Sequence, residues 1–338
     1  MPLTSYILAG GAILAALAAI QKICALIDAR KFPPPGRIVS IPNGRMHVKQ
    51  MGEGSPAIVL EAGIAASTLN WSLLQPELAL HAATYSYDRA GFGWSTARDG
   101  ACSLPDIANN LRATITALDL PRPYILVGHS FAGLILREYA LRFPDEIAGI
   151  VLIDPLTPEE WLTPSRAQRW MLRRGIWFSR AGGVLAAFGV VRVSLWLLQR
   201  GNRSTPRGIL KLFGAKATET VQRILRELTK LPPDVMRIIR ARWSTPRFFW
   251  TMSDYIQSLP RCSAEMIGRN IPPNIPVTVL SGAHQLPQRL REHAAIAAHS
   301  RNGRQIIAQK GAHWIHLDQP ELVVQAVLEM GQAMKFKI

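Results

Sequence analysis

Cysteine and negative charge are the two things this sequence has little of. Its 338 residues include only 3 cysteines, Cys24, Cys102 and Cys262, far apart and odd in number. That spacing fits neither a disulfide framework nor a zinc site, so free thiols are expected. No glycine-rich phosphate loop, metal-binding helix motif or repeat period is present, and neither a metal nor a cofactor is expected. Charge is sparse too, at 18% of residues against 48% hydrophobic. That composition excludes disorder for most of the chain and supplies a large core, for one large domain or two ordinary ones.

The shortage of acid is local. Lys and Arg total 39 against 23 Asp and Glu, a formal net charge of +16. Between Trp161 and Asn270 there are 20 basic and 5 acidic residues, a net +15, while the other 228 residues hold 19 and 18, a net +1. One insertion therefore carries almost all the charge. Solvated surface is the default reading of such a segment, and a face held against anionic lipid comes next. Nucleic acid is not expected as a partner, because no recognised binding module accompanies the charge.

The longest uninterrupted apolar stretch lies at the amino-terminal end. Leu3 to Ile27 reads as apolar helix, uninterrupted from Tyr6 to Ile20. Twenty-five helical residues span about 37 Å, enough for a hydrocarbon core of about 30 Å. No basic residue precedes this segment, whereas Lys22, Arg30, Lys31 and Arg37 follow it. A membrane anchor with a cytoplasmic body is therefore expected. Two alternatives stay open. Ala16-Leu17-Ala18 resembles a signal-peptide cleavage site, without a basic n-region before it, which would export the protein. The helix could also lie in the membrane interface or pack on the basic insertion. Pro33 to Pro35 supplies a stiff spacer.

Beyond the spacer, strand and helix patterns alternate. Arg45 to Met51, Ala57 to Glu61, Thr84 to Tyr87, Tyr124 to Val127 and Ile150 to Ile153 read as strands. An amphipathic helix near Leu69 to Leu80, and helices at Asp106 to Leu118 and Ser130 to Phe143, lie between them. Val277 to Leu280 and Gln305 to Ile307 continue the series, and Pro320 to Met334 closes it. Alternation of this kind predicts an α/β fold, a mostly parallel, doubly wound sheet with helices on both faces. Between Ile153 and Val277 the strand signal stops. A helical cap holding six of the nine tryptophans replaces it. The expected organisation is an anchor-like helix and spacer (1–36), a first part of the core (37–156), the basic cap (157–274) and a second part of the core (275–338).

The most informative stretch is Tyr124-Ile-Leu-Val-Gly128-His129-Ser130-Phe131-Ala132-Gly133, a strand running directly into a helix. A serine at such a turn has a strained backbone and an exposed hydroxyl, and small flanking residues let strand and helix approach. A helix-capping serine is the bland alternative. Here the chain resembles the α/β-hydrolase family, over residues 37 to about 335. One departure is Ala132, where the family usually has glycine.

The resemblance implies a serine nucleophile, Ser130, and a hydrolase acting through an acyl-enzyme. Gly311-Ala-His313-Trp-Ile-His316-Leu-Asp-Gln-Pro320 resembles the family's catalytic-histidine loop and selects His313, leaving His316 structural. In much of the family the acid follows the strand that here ends at Ser281, but that loop carries Gln285, which cannot stabilise an imidazolium by charge. Other members place the acid after the preceding strand, 24 residues beyond the nucleophile, where Asp154 stands. Asp154 is the expected acid, and Glu292 the fallback by proximity in sequence. The oxyanion donors implied are the backbone amides of Phe131 and Ile64, the latter after Ala62-Gly63 where members commonly have His-Gly. Tyr87 to Ser95 matches a family turn with a structural role. A serine nucleophile argues against epoxide hydrolase and dehalogenase chemistry, which use a carboxylate. Carboxylic ester hydrolysis is expected, on a small-molecule or lipid ester. The cap tryptophans and Val184 to Leu198 suggest an apolar acyl pocket. An amidase, thioesterase or cofactor-independent perhydrolase on the same residues, or a non-catalytic binding protein keeping the fold, are the alternatives.

Overall fold

A computed structural model describes residues 3–96, 102–200, 223–224 and 226–335. Residues 201–222, part of the expected cap, lie outside the described residues. The chain forms two compact units, one of residues 1–33 and 173–253, the other of residues 34–172 and 254–338.

The larger unit is built on one eight-stranded sheet in the order β1-β2-β4-β3-β5-β6-β7-β8. Its strands are β1 (Arg37–Ile41), β2 (Gly44–Met51), β3 (Ile58–Glu61), β4 (Thr84–Tyr87), β5 (Tyr124–His129), β6 (Ile147–Ile153), β7 (Val277–Gly282) and β8 (Arg304–Ala308). Strands β1 and β2 pair antiparallel, as do β2 and β4, and every other pairing is parallel. Strands β3 to β7 are buried along their whole length. That is why β3, β5 and β6 read as nearly continuous apolar runs and not as alternation: a parallel sheet is covered on both faces, and β4, Thr-Tyr-Ser-Tyr, is an exception. The helices flanking the sheet include α2 (Gln75–Ala79), α3 (Leu104–Ala117) and α4 (Ala132–Arg142). Trp71, Leu74, Leu78, Val323, Val327 and Met330 pack into the core with Ile125, Val127 and Val151 of the central strands.

The segment expected as one helix over Leu69 to Leu80 is broken in two, a 3-10 turn at Thr68–Trp71 and then α2. The break has a local cause. Ser67 caps the 3-10 turn reciprocally with Asn70, and Pro76 opens a new helix at its first turn. Strand β1 carried no clear sequence signal, being five residues long with an exposed half.

The smaller unit is mostly helical among its described residues. It contains α1 (Leu3–Lys31), most of α6 (Arg166–Ala187), which follows the short α5 (Glu159–Leu162), then α7 (Val190–Gln199), α8 (Pro233–Trp243) and the first part of α9 (Pro246–Met266). Helices α6 and α9 pack closely because Gly182 offers no side chain: a Cβ there would stand 2.5 Å from Phe249 Cδ1. Helix α1 is long and apolar enough to cross a membrane, a property that signal sequences share, and the α6–α7 pair, bent by 91°, meets the same measure only if joined.

The approach to β6 is fixed by a buried carboxylate. Glu146 Oε1 accepts from Arg112 Nε at 3.0 Å and lies 3.0 Å from the Arg122 guanidinium, while Oε2 accepts from Tyr139 at 2.6 Å. Burial pushes the Glu146 carboxyl up, but the Tyr139 bond and the two arginines outweigh it and hold the group below the ordinary range. Its stabilising contribution is then present above the unfolded-state value, near 4.3, and is lost as pH falls through the lower folded value. Glu146→Gln is expected to cost about 1–3 kcal/mol at pH 7. Thermal unfolding should show the gap to wild type narrowing as the pH drops below about 4.

Candidate active site

Sheet register brings the candidate residues to one edge. His129, the last residue of β5, stands beside Ile153, the last of β6, which stands beside Leu280 of β7. The next residues extend the ladder. Ser130 N–H donates to Ile153 O at 3.0 Å, and Asp154 N–H donates to Leu280 O at 2.7 Å. Ser130 and Asp154 therefore leave the carboxyl ends of adjacent parallel strands at one level, where ligands meet open α/β sheets.

Both have left-handed backbone conformations, φ +57° at Ser130 and +42° at Asp154. Neither is glycine, so each turn stores strain that the surroundings must hold. At Ser130 the holding bonds are Gly133 N–H and Leu156 N–H, both donating to its carbonyl at 2.9 Å. Gly128 has no room for a side chain: a Cβ would stand 2.6 Å from Leu136 Cδ1 and 3.0 Å from the Ala132 methyl. The same geometry accounts for Ala132, which is small enough to share this space.

Asp154 is fully buried. Its Oδ2 accepts from His313 Nδ1 at 2.6 Å and from Gln285 Nε2 at 2.7 Å, and its Oδ1 accepts from the Gly282 amide at 3.4 Å. Arg289 lies 3.8 Å away. The glutamine at the position where an acid is common thus donates to the carboxylate, so it supports Asp154 without competing for the histidine. Glu292, the fallback acid, is engaged by Thr157 Oγ1 at 2.6 Å and by Gln288.

His313 sits in the loop after β8, with its imidazole partly exposed. His129 Nε2 donates to the His313 carbonyl at 2.9 Å, and the two rings lie 4.7 Å apart. Burial pushes the His129 imidazole well below its ordinary range, with the neighbouring histidines adding to the shift. His316 is buried between Trp71 and His129, and burial pushes it down to about 3. Both are neutral near pH 7, so neither adds a second imidazolium beside His313, and the other cation at Asp154 is the Arg289 guanidinium at 3.8 Å.

The opposite wall is the loop after β3. Gly63 passes so close that a Cβ there would lie 3.4 Å from Ser130 Cβ and 3.1 Å from His129 Nδ1. Ile64, the expected second oxyanion donor, is the next residue, and Phe131, the first, heads α4 directly after Ser130. This loop is pinned from below by Arg89. Its guanidinium donates to Ala62 O at 2.8 Å and Gly63 O at 2.7 Å, pairs with Glu61 at 2.8 Å, and lies 4.7 Å from the Tyr255 ring. A buried arginine is tolerated only with partners of this kind, and here its fork fixes two successive carbonyls.

The family model for the alpha/beta hydrolase fold matches residues 56–320. The chain belongs to the α/β-hydrolase fold family. Among curated relatives of this α/β-hydrolase, the uncharacterized protein YqjL of Bacillus subtilis is 31% identical over 104 residues, 31% of this chain and 41% of that one. The chain thus spans about two fifths of the length of the first curated relatives it matches. The 1-acylglycerol-3-phosphate O-acyltransferase ABHD5 of Rattus norvegicus is 24% identical over 86% of this chain and 83% of its own. Among solved structures, a thermophilic esterase from Thermogutta terrifontis superposes with a TM-score of 0.56 at 16% identity, covering 88% of this chain and 98% of its own.

The sequence missed the Arg89 clamp, the Gln285 bond and the His129 link. The first had a signal, since an arginine in a buried turn needs a partner, and Glu61 was the acid at a buried strand end. Four of the six insertion tryptophans, Trp170, Trp177, Trp196 and Trp250, are exposed, while Trp161 is buried. Exposure of the four argues against an acyl pocket built from them. With Ile64 in the oxyanion role that the family resemblance implies, Arg89→Gln should lower kcat roughly 10- to 100-fold with little change in KM, since a slackened loop would weaken transition-state contacts only. Steady-state kinetics on a soluble ester checks it.

Proposed function

We propose that the chain is a serine hydrolase of carboxylic esters, with Ser130 as nucleophile, His313 as general base and acid, and Asp154 as the acid that orients the imidazole. The observation that carries this is the 2.6 Å bond from His313 Nδ1 to the buried Asp154 carboxylate. With Nδ1 committed as a donor, Nε2 is the basic nitrogen. Ser130 Oγ attacks the acyl carbonyl carbon while Nε2 takes its proton, and the amides of Phe131 and Ile64 receive the oxyanion. Collapse expels the alcohol, which takes the proton back from Nε2. Water then repeats the attack and releases the acid and free Ser130.

The substrate class proposed is an apolar or lipid-like acyl ester. What supports it is α1, which would hold the enzyme at a membrane with the catalytic body on the cytoplasmic side, as the basic residues after the helix favour. The basic insertion would face anionic lipid there.

A fluorophosphonate probe should label wild type and leave Ser130→Ala unlabelled. A folded wild type that takes no label would leave a binding protein with the hydrolase fold as the better account. Asp154→Asn is expected to lower kcat by about 10⁴, through loss of the correct tautomer. Gln285→Ala should cost only a few-fold, because Gly282 and His313 still hold the carboxylate. The reverse order of severity would place the acid elsewhere. A panel of esters, amides and thioesters of increasing chain length would assign the leaving group and acyl preference.

A further inference from the structure

Three features of α6, α7 and α1 have no part in the chemistry above, α6 beginning in the larger unit and entering the smaller at Arg173. The first is a pair of stripes on α6. Trp170, Trp177 and Val184 recur every seven residues and are 55%, 59% and 50% exposed. Arg166, Arg173 and Arg180 recur at the same spacing four residues earlier and are also exposed. At 3.6 residues per turn an offset of four is about 40° around the helix. The apolar stripe is therefore flanked along its length by a basic one, and Arg180 also reaches Ser253 Oγ at 3.4 Å.

The second is α7, Val-Val-Arg-Val-Ser-Leu-Trp-Leu-Leu-Gln, an apolar helix without a single buried residue. Val193 and Trp196 are its exposed large apolar side chains. The third is the way α1 joins this unit. From Tyr6 to Leu17 every residue is exposed, and then Gln21 is buried. Gln21 Nε2 donates to Ser244 O at 2.6 Å, and its Oε1 accepts from Arg192 Nε at 2.8 Å. Arg192 also pairs with Asp28, one helical stretch further along α1. Arg242 donates to Phe32 O at 2.8 Å just past the end of the helix.

We propose that α1, α6 and α7 form one docking face whose occupant is the surface of an anionic phospholipid bilayer, with Gln21, Asp28 and Arg192 as the lock that joins the inserted helix to the face. This rests on the membrane-anchor assignment made above and specifies how the anchored protein meets the lipid. Residues 4–20 rise about 25 Å, and the exposed Ile23, Leu26 and Ile27 carry the apolar face past Gln21, so a hydrocarbon core of about 30 Å ends within the stretch from Gln21 to Asp28. The water boundary then falls at the lock, which draws the rest of the unit to headgroup level. There, tryptophan and valine side chains reach the acyl boundary while the flanking arginines meet lipid phosphates. The excess of base over acid in the insertion selects an anionic surface. Polyanions such as nucleic acid would pair with the arginines and leave the Trp–Val stripe in water.

The test uses the full chain with Cys24 and Cys102 changed to Ser, Cys262 being buried. A nitroxide is placed at Val184→Cys, at Val193→Cys or, as reference, at the exposed Gln288→Cys. Protein is mixed with vesicles of phosphatidylcholine and phosphatidylglycerol at 7:3 and recovered by flotation. Labels at 184 and 193 should be several-fold more accessible to oxygen than to an aqueous nickel chelate, relative to the label at 288. Pure phosphatidylcholine vesicles should reduce that ratio, and so should Arg192→Gln or the milder Asp28→Asn, with flotation retained. Floating protein whose labels at 184 and 193 stay as nickel-accessible as at 288 overturns the docking face and leaves the anchor standing. Protein that does not float at all overturns both. Spin–spin broadening between copies, without the oxygen preference, would make the occupant a second copy and also overturn the proposal. A ratio unchanged in pure phosphatidylcholine overturns the anionic requirement, and one unchanged in both lock variants overturns the role of the lock.

Discussion

The bond between His313 and Asp154 is possible only because a parallel sheet ends its central strands in register. Asp154 follows the last residue of β6, and its backbone amide is still part of the ladder to β7. Ser130 follows the last residue of β5 and is still part of the ladder to β6. Two residues in left-handed conformations then turn their chains at one level. The strain is local, and the sheet that holds it is buried on both faces, which is where distortion of this kind is best resisted.

Burying a carboxylate is costly unless every oxygen has a partner. Asp154 has the imidazole, the amide of Gln285 and the Gly282 N–H. A second carboxylate at position 285 would repel it and raise the proton affinity of the pair. An amide adds a donor without that repulsion, and so stiffens the acceptor of the His313 proton. The other imidazoles nearby, His129 and His316, are kept neutral by burial. One serves as a strut between the His313 carbonyl and the loop at Gly63. Of these three imidazoles only that of His313 bonds Asp154, which it shares with the Arg289 guanidinium at 3.8 Å. Arg89 does the equivalent service on the opposite wall, where the group to be fixed is a backbone loop.

Much of this was legible in the residues. Buried parallel strands such as β5 and β6 announce themselves as short apolar runs, and β4, bounded to the residue at Thr84 to Tyr87, was legible although it is Thr-Tyr-Ser-Tyr. The strand–turn–helix around Ser130 was legible because sterics allow few residue types there, as the space beside Gly128 demonstrates. Less legible were features that depend on distant parts of the chain. Gln285 read as a missing acid, because its partner lies 131 residues away. The tryptophans of the insertion read as pocket lining, since helical spacing alone does not say which face is solvated. Polar residues inside α1 read as interruptions, yet Gln21 is where that helix is fastened to its own unit.

The central claim is that Ser130 carries the acyl group. Acid-quenching a reaction with a p-nitrophenyl ester during the first turnovers, followed by peptide mass mapping, tests it directly. An acyl adduct on the peptide containing Ser130, accumulating in Asp154→Asn more slowly than in wild type, is the predicted result. Ester turnover with the adduct on another residue, or with no covalent adduct when the released nitrophenol shows a burst, would contradict it.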